Sequence, residues 1–361
     1  MFSYVIIIQK MYEKYSKSLG DIANIKRSFI EENDSMLNNM LKINANYTEQ
    51  IARKVCKVCE NSIKDNCVDI SKHGVDYQIC DECGHLNGTK LDTNNFCDAL
   101  YKESGGSNYS KNYKSKYKLR VKKIYKPKAD YLLEILNRKL NIKSFSVDDF
   151  GCGAGHFVHA LGELGVSAKG FDISEDLIKI ARAAWEDSQY IDSSAPFFIV
   201  KEESELIQEI IKSNADVISL HGVLEHLRFP NKVFDAFLLS NSKYMYFSVP
   251  LFSLSVYLEN VFPQIFPRQL SGGHTHLYTH QSINYICNKY NLKEISKWIF
   301  GTDSMDLKRS LLVQGVKNGM SDKAKKFLNE TLFTGKVMDE IQEVLDKNHS
   351  ASQIHIIVSK E

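Results

Sequence analysis

The segment Ser146-Val-Asp-Asp-Phe-Gly-Cys-Gly-Ala-Gly-His156 constrains the fold most. A short apolar run ends in an acid, and three glycines then alternate with small residues. An amphipathic run follows, Phe157 to Leu164, and then a second apolar run that ends at Asp172. Strand, glycine turn, helix, strand and acid in this order make the first half of a nucleotide-binding α/β unit. The glycine spacing narrows the ligand. A dinucleotide fingerprint is G-x-G-x-x-G, whose last small residue lets helix and strand pack closely. Here the glycines fall at 151, 153 and 155, and position 156 is histidine, which argues against a dinucleotide.

The rest of the chain extends the pattern. Pro196 to Val200, Ala215 to His221 and Lys243 to Val249 read as strands three to five, with helical runs between them. Apolar strands alternating with helices predict an α/β fold with a doubly wound, mostly parallel sheet. Ligands of such sheets bind at the carboxyl ends of the strands, which puts Asp149, the glycine turn, Asp172 and His221 around one crevice. Leu292 to Phe300 reads as a sixth strand and Ser352 to Val358 as a last one. The predicted divisions are a helical N-terminal segment (1–52), a metal module (53–100), a basic connector (101–128) and the α/β domain (129–361). The last carries a lid insertion near 251–280 and a helical insertion near 303–348.

Four cysteines, Cys56, Cys59, Cys80 and Cys83, form two C-x-x-C pairs twenty residues apart. Each pair can turn two thiolates toward one tetrahedral ion, so a closed, structural zinc site is expected. Thiols kept for metal also point to a reducing compartment, and the cytoplasm is the default location. Phe2 to Ile8 is apolar but lacks the features of a signal peptide and reads as the start of folded structure. No run approaches the ~20 apolar residues of a membrane helix.

Lys111 to Lys128 holds nine Lys or Arg and no acid, with Tyr109, Tyr113, Tyr117 and Tyr125 interleaved. Such a run can solvate a helix, bind nucleic acid or bind a phosphorylated small molecule. Tyr109 and Tyr113 are the candidates to face a substrate. The net charge of the whole chain, +2, argues against nucleic acid as the main partner. After strand five, Ser271-Gly-Gly-His-Thr-His-Leu-Tyr-Thr-His280 gathers three histidines. They serve acid–base work better than metal, since no carboxylate or thiol adjoins them in sequence.

Asp149 to Gly155 (D-x-G-x-G-x-G), Asp172 and the Val223-Leu-Glu-His226 segment resemble motifs of the class I S-adenosylmethionine-dependent methyltransferases. The likeness spans about residues 130 to 250. It implies that Asp149, Gly151, Gly153 and Gly155 serve the methionine part of the cofactor and that Asp172 binds the ribose. It further implies that Ile173 packs on the adenine and that the backbone at His221 passes beneath the cofactor. The order of parts (four-Cys module, tyrosine-bearing connector, class I domain, C-terminal half) resembles the zinc-containing sugar methyltransferases of deoxysugar and surface-glycan pathways. That resemblance implies a small acceptor, an activated sugar, with His226 and His274 as catalytic bases and His276 at the substrate. Gly273 stands where the C-methylating members carry Glu, which leaves O-methylation at least as well supported. The competing readings are an RNA methyltransferase and a zinc-ribbon nucleic-acid-binding protein.

Overall fold

The computed structural model describes residues 11–20, 28–98, 100, 116–188 and 195–360. Phe2 to Ile8, Tyr109 and Tyr113 lie outside them. The strands are β1 (Tyr12–Tyr15), β2 (Ile70–Lys72), β3 (Val75–Ile79), β4 (Leu86–Gly88), β5 (Ser146–Phe150) and β6 (Ser167–Asp172). They continue with β7 (Phe197–Ile199), β8 (Val217–His221), β9 (Tyr244–Pro250), β10 (His276–Leu277), β11 (Leu292–Ile299) and β12 (Gln353–Lys360). The helices that matter for the site are α1 (Asn33–Thr48), α2 (Lys126–Leu133), α3 (His156–Glu163), α4 (Glu175–Glu186) and α5 (Glu203–Lys212). After them come α6 (Asn231–Leu239), α7 (Leu254–Val261) and α8 (His280–Lys289).

The large sheet runs β1-β11-β12-β9-β8-β5-β6-β7. β5 pairs in parallel with β6 and β8, and β12 runs antiparallel between β9 and β11. This is the class I methyltransferase arrangement, a mostly parallel sheet with a reversed last strand, and it matches the fold read from the sequence. Phe234, Phe247 and Ile354 fill one face, while Tyr131, Tyr246 and Trp298 fill the other. A sheet buried on both faces needs apolar residues in both alternating sets, as β9, buried at every position, shows.

Two features differ from the sequence reading. The N-terminal segment is helical in α1, but Tyr12–Tyr15 forms an edge strand parallel to β11. Tyr-Glu-Lys-Tyr suits that place: aromatics favour strands, and charges at an edge discourage further pairing. The Trp298 indole N–H, donating to the Ser16 carbonyl at 3.0 Å, holds the strand's end. The second difference is in the roof. The four-Cys module builds an antiparallel sheet ordered β10-β4-β3-β2, and β10 comes from the 271–280 segment. Module and roof therefore form one layer. Two residues of strand have too little periodicity to be read from sequence.

The third glycine of the turn sets how closely the layers meet. Gly155 has φ +72°, and a Cβ there would lie 2.5 Å from the Phe197 ring and 2.9 Å from Ala181 Cβ. Gly165 has φ +74° with nothing within 4 Å of such a Cβ. Gly165→Ala is expected to cost only the left-handed backbone, about 1 kcal/mol, and Gly155→Ala about 2–4 kcal/mol. Urea unfolding of the two variants checks this; equal losses would mean that packing at Gly155 is slack.

Candidate active site

The turn after β5 is tied to the end of β6. The Gly151 and Cys152 amides donate to the Phe171 carbonyl at 2.7 and 3.0 Å. One Asp172 carboxylate oxygen accepts from the Gly153 amide at 2.7 Å and the other from Ser174 at 2.8 Å. Each oxygen keeps a second acceptor position, and Asp172 lines the cavity. Asp149 is buried and accepts from the Ser219 hydroxyl at 2.7 Å. Burial pushes its carboxyl up to about 7, against the pull of Ser219 and Lys128.

These groups border a cavity of about 620 Å³, within the size range of small-molecule sites. Gly151, Gly153, Asp149, Asp172, Ile173 and His221 all line it. Gly155 does not; its role is the packing contact described above. The His221 side chain is half-buried, edge-to-face with Phe157 and Tyr246, and its two buried ring nitrogens have no hydrogen-bond partner among the described residues. Burial holds its pKa well below the imidazole range. His156 is clamped between two connector tyrosines: Tyr117 stacks on it at 4.3 Å and Tyr125 at 5.1 Å. The Tyr117 hydroxyl donates to the Ala154 carbonyl, 3.0 Å away. The described end of the connector thus braces the glycine turn. Lys201, Glu202 and Glu203 follow β7 at the cavity rim, and the Glu203 carboxylate accepts the amides of Arg228 and Phe229.

The opposite wall is a single helical turn, Leu224–His226, facing the roof loop. His226 Nδ1 lies 3.2 Å from the Gly273 carbonyl and His274 Nδ1 lies 3.2 Å from that of Gln269, with the two rings 5.0 Å apart. Carbonyls only accept, so both Nδ1 atoms donate. Burial lowers the pKa to about 4 at His226 and about 3 at His274, so both imidazoles are neutral. Glu225, which brings a carboxyl oxygen within 4.8 Å of a ring nitrogen of each, is buried and pushed up to about 8 by desolvation. His226 lines the cavity. His276 is fully buried behind this wall, 2.9 Å from the other imidazole of a His85–His276 pair. It is absent from the cavity lining, because strand pairing with β4 turns it into the roof layer.

The sequence alone assigned Glu225 and Lys128 no role at the site, and gave Tyr117 only a share, with the other connector tyrosines, in shaping the acceptor side. Lys128 is buried at the end of the basic run, and burial pulls its amine down to about 7. Only its position, last before an apolar stretch, could have set it apart from eight neighbours that read as solvated.

The four cysteines are buried and their sulfurs gather within 4.8 Å of one another. Cys56 and Cys83 stand 3.6 Å apart, and Cys59 and Cys80 3.5 Å. A tetrahedral ion with sulfur ligands at about 2.3 Å separates them by about 3.8 Å, so the set fits zinc. Val58 N and Asn87 Nδ2, each 3.4 Å from the Cys56 sulfur, supply donors that a thiolate needs. The module also grips the wall. Lys57 donates to the Leu227 carbonyl at 2.7 Å, Asn231 donates to that of Val58 at 3.0 Å, and the Tyr77 hydroxyl lies 2.9 Å from the carbonyls of Ser271 and His274.

Residues 118–297 match the family model of a methyltransferase domain. The chain carries a class I S-adenosylmethionine-dependent methyltransferase domain together with a four-cysteine cluster. It is an S-adenosylmethionine-dependent methyltransferase. No curated protein matches its sequence. Similar solved structures include magnesium protoporphyrin IX methyltransferase from Synechocystis PCC 6803 with bound cofactor, at 11% identity over 75% of this chain and 99% of that one, TM-score 0.42. Others are a methyltransferase from Archaeoglobus fulgidus (18%, 64% and 94%, TM-score 0.36) and a putative sarcosine dimethylglycine methyltransferase from Galdieria sulphuraria (11%, 65% and 86%, TM-score 0.40). Among the described residues no helix is long and apolar enough to cross a membrane.

Proposed function

We propose that the chain transfers a methyl group from S-adenosylmethionine to a hydroxyl of a small molecule, a nucleotide-linked or glycan-pathway sugar. The observation that carries this reading is one cavity bounded by the Gly153–Asp172 turn on one side and His226, backed by His274, on the other. In it Asp172 takes the ribose hydroxyls, Ile173 packs on the adenine, and Asp149 with the bare turn at Gly151 and Gly153 takes the methionine part. Gly155 supports that turn from behind. The sulfonium methyl is already activated, so the protein's work is alignment and exclusion of water. The acceptor oxygen attacks the methyl carbon, the carbon–sulfur bond breaks with its electrons left on sulfur, and the hydroxyl proton passes to water on the His226–His274 side. Zinc in the four-Cys cluster is structural: all four positions are filled by thiolates, with none left for substrate.

Titration calorimetry with S-adenosylmethionine tests the donor half, and label transfer to a panel of nucleotide sugars the acceptor half. Absence of donor binding would sink the proposal; RNA affinity falling steeply with salt would favour a nucleic-acid substrate. The buried Asp149 gives the binding a proton signature. An arriving ammonium favours its ionised form, so near pH 6.5 binding is expected to release a proton and the measured heat to depend on the buffer's ionisation enthalpy. Affinity then weakens as pH falls below about 7, by up to tenfold per unit. Equal heats in two buffers would show that Asp149 does not meet the ammonium.

A further inference from the structure

Glu225, His226 and His274 bring one ligand atom each to within 4.8 Å of the others. Sequence spacing gave no reason to join them, since His274 lies beyond β9 and the roof helix α7. Three observations bear on what they do together. Glu225 is 5% exposed, and its Oε2 has no hydrogen-bond partner among the described residues. A buried carboxylate oxygen left unpaired costs free energy that natural proteins seldom leave uncompensated. Both imidazoles donate Nδ1–H to backbone carbonyls, which places the remaining lone pair of each at Nε2. That is the arrangement by which proteins orient histidine ligands for a metal. Finally, the two histidines are half-buried and His226, though not Glu225 or His274, borders the cavity, so the cluster adjoins the cavity through His226.

We propose that Glu225, His226 and His274 bind one divalent transition-metal ion whose open positions face the cavity and take the acceptor's oxygen. Two imidazoles and one carboxylate suit manganese, iron, cobalt or zinc better than calcium, which prefers a shell of oxygens. Three protein ligands leave coordination positions vacant, unlike the four-thiolate site. The part concerning the acceptor rests on the function proposed above. There the imidazoles act on the hydroxyl through the ion: coordination weakens the O–H bond, and the proton freed on methyl transfer passes to water. An acceptor with two neighbouring hydroxyls, as in a sugar, can occupy two positions at once, which fixes the oxygen to be methylated.

The test uses full-length protein with its zinc content verified, titrated with Mn2+ alone and followed by the electron paramagnetic resonance of the free ion. Manganese does not compete well for four thiolates, so the signal reports the second site. One Mn2+ per chain is expected, with affinity falling at least about tenfold in Glu225→Gln and in His274→Asn. Thermal melting of both variants establishes that they are folded. No uptake by the wild type, or uptake that neither substitution weakens, would overturn the proposal. Neither donor nor acceptor is present, so this outcome is independent of the calorimetry that decides the function.

Discussion

Asp172→Ala is expected to raise the dissociation constant for S-adenosylmethionine by about 10²- to 10⁴-fold. In the cofactor site proposed above the carboxylate would offer two charge-assisted hydrogen bonds to the ribose, each contributing about 1.5–3 kcal/mol, and their sum gives that range. The substitution acts a second time through the protein. It removes the acceptor for the Gly153 and Ser174 amides, so the turn after β5 loses one tether to β6 and keeps the two amides on the Phe171 carbonyl. The two effects separate by measurement: calorimetry reads the affinity, and urea unfolding reads the lost tether, expected at about 1–3 kcal/mol. Asp172→Asn keeps an acceptor for one amide and is expected to recover part of the stability with little of the affinity. An affinity change under tenfold in the alanine variant would remove Asp172 from the cofactor site.

If the four-Cys cluster holds the zinc proposed above, Cys83→Ser is expected to release it and destabilise the roof. Whole structural zinc sites contribute about 10–16 kcal/mol in small domains, so losing one of four thiolates removes several kcal/mol. The effect should spread unevenly. The module holds the wall around His226 and His274, the acceptor side in the proposed function, through Lys57, Asn231 and Tyr77, whereas the glycine turn is held by β6 and the connector tyrosines. The variant is therefore expected to lose acceptor turnover while donor binding falls by less than about tenfold. Metal analysis and calorimetry on one preparation decide it. A variant that keeps zinc, or one that loses donor and acceptor binding equally, contradicts this division.

Most of the large sheet was legible in the sequence because its signals are local. Each inner strand is an apolar run bounded by turn residues, and the glycine turn with Asp172 names its own place in the unit. The cysteine pairs were legible for the same reason: ligand spacing is written along the chain. The wall was less legible. His226 and His274 could be aligned by resemblance, but Glu225 gained a role only when the fold carried the roof loop across to it. β10 and β1 were invisible because a two-residue strand and a four-residue edge strand have no period to read. His276 pairs with β4 for the same non-local reason, which put it in the roof and not in the cavity.

The pairing of His276 with Asn87 sets an order of events during synthesis. The four cysteines precede β10 by nearly two hundred residues, and a metal ion bound by them could collect them as soon as Cys83 has left the ribosome. The sheet around them stays open on one edge until residue 277 has followed. By then β5 to β9 have also emerged, and the crevice can assemble beneath the unfinished roof. Contacts this distant in sequence form late, so the closing step is slow compared with the local turns. A nascent chain stalled before residue 276 would carry its four cysteines and much of its crevice, yet expose a bare strand edge to other chains.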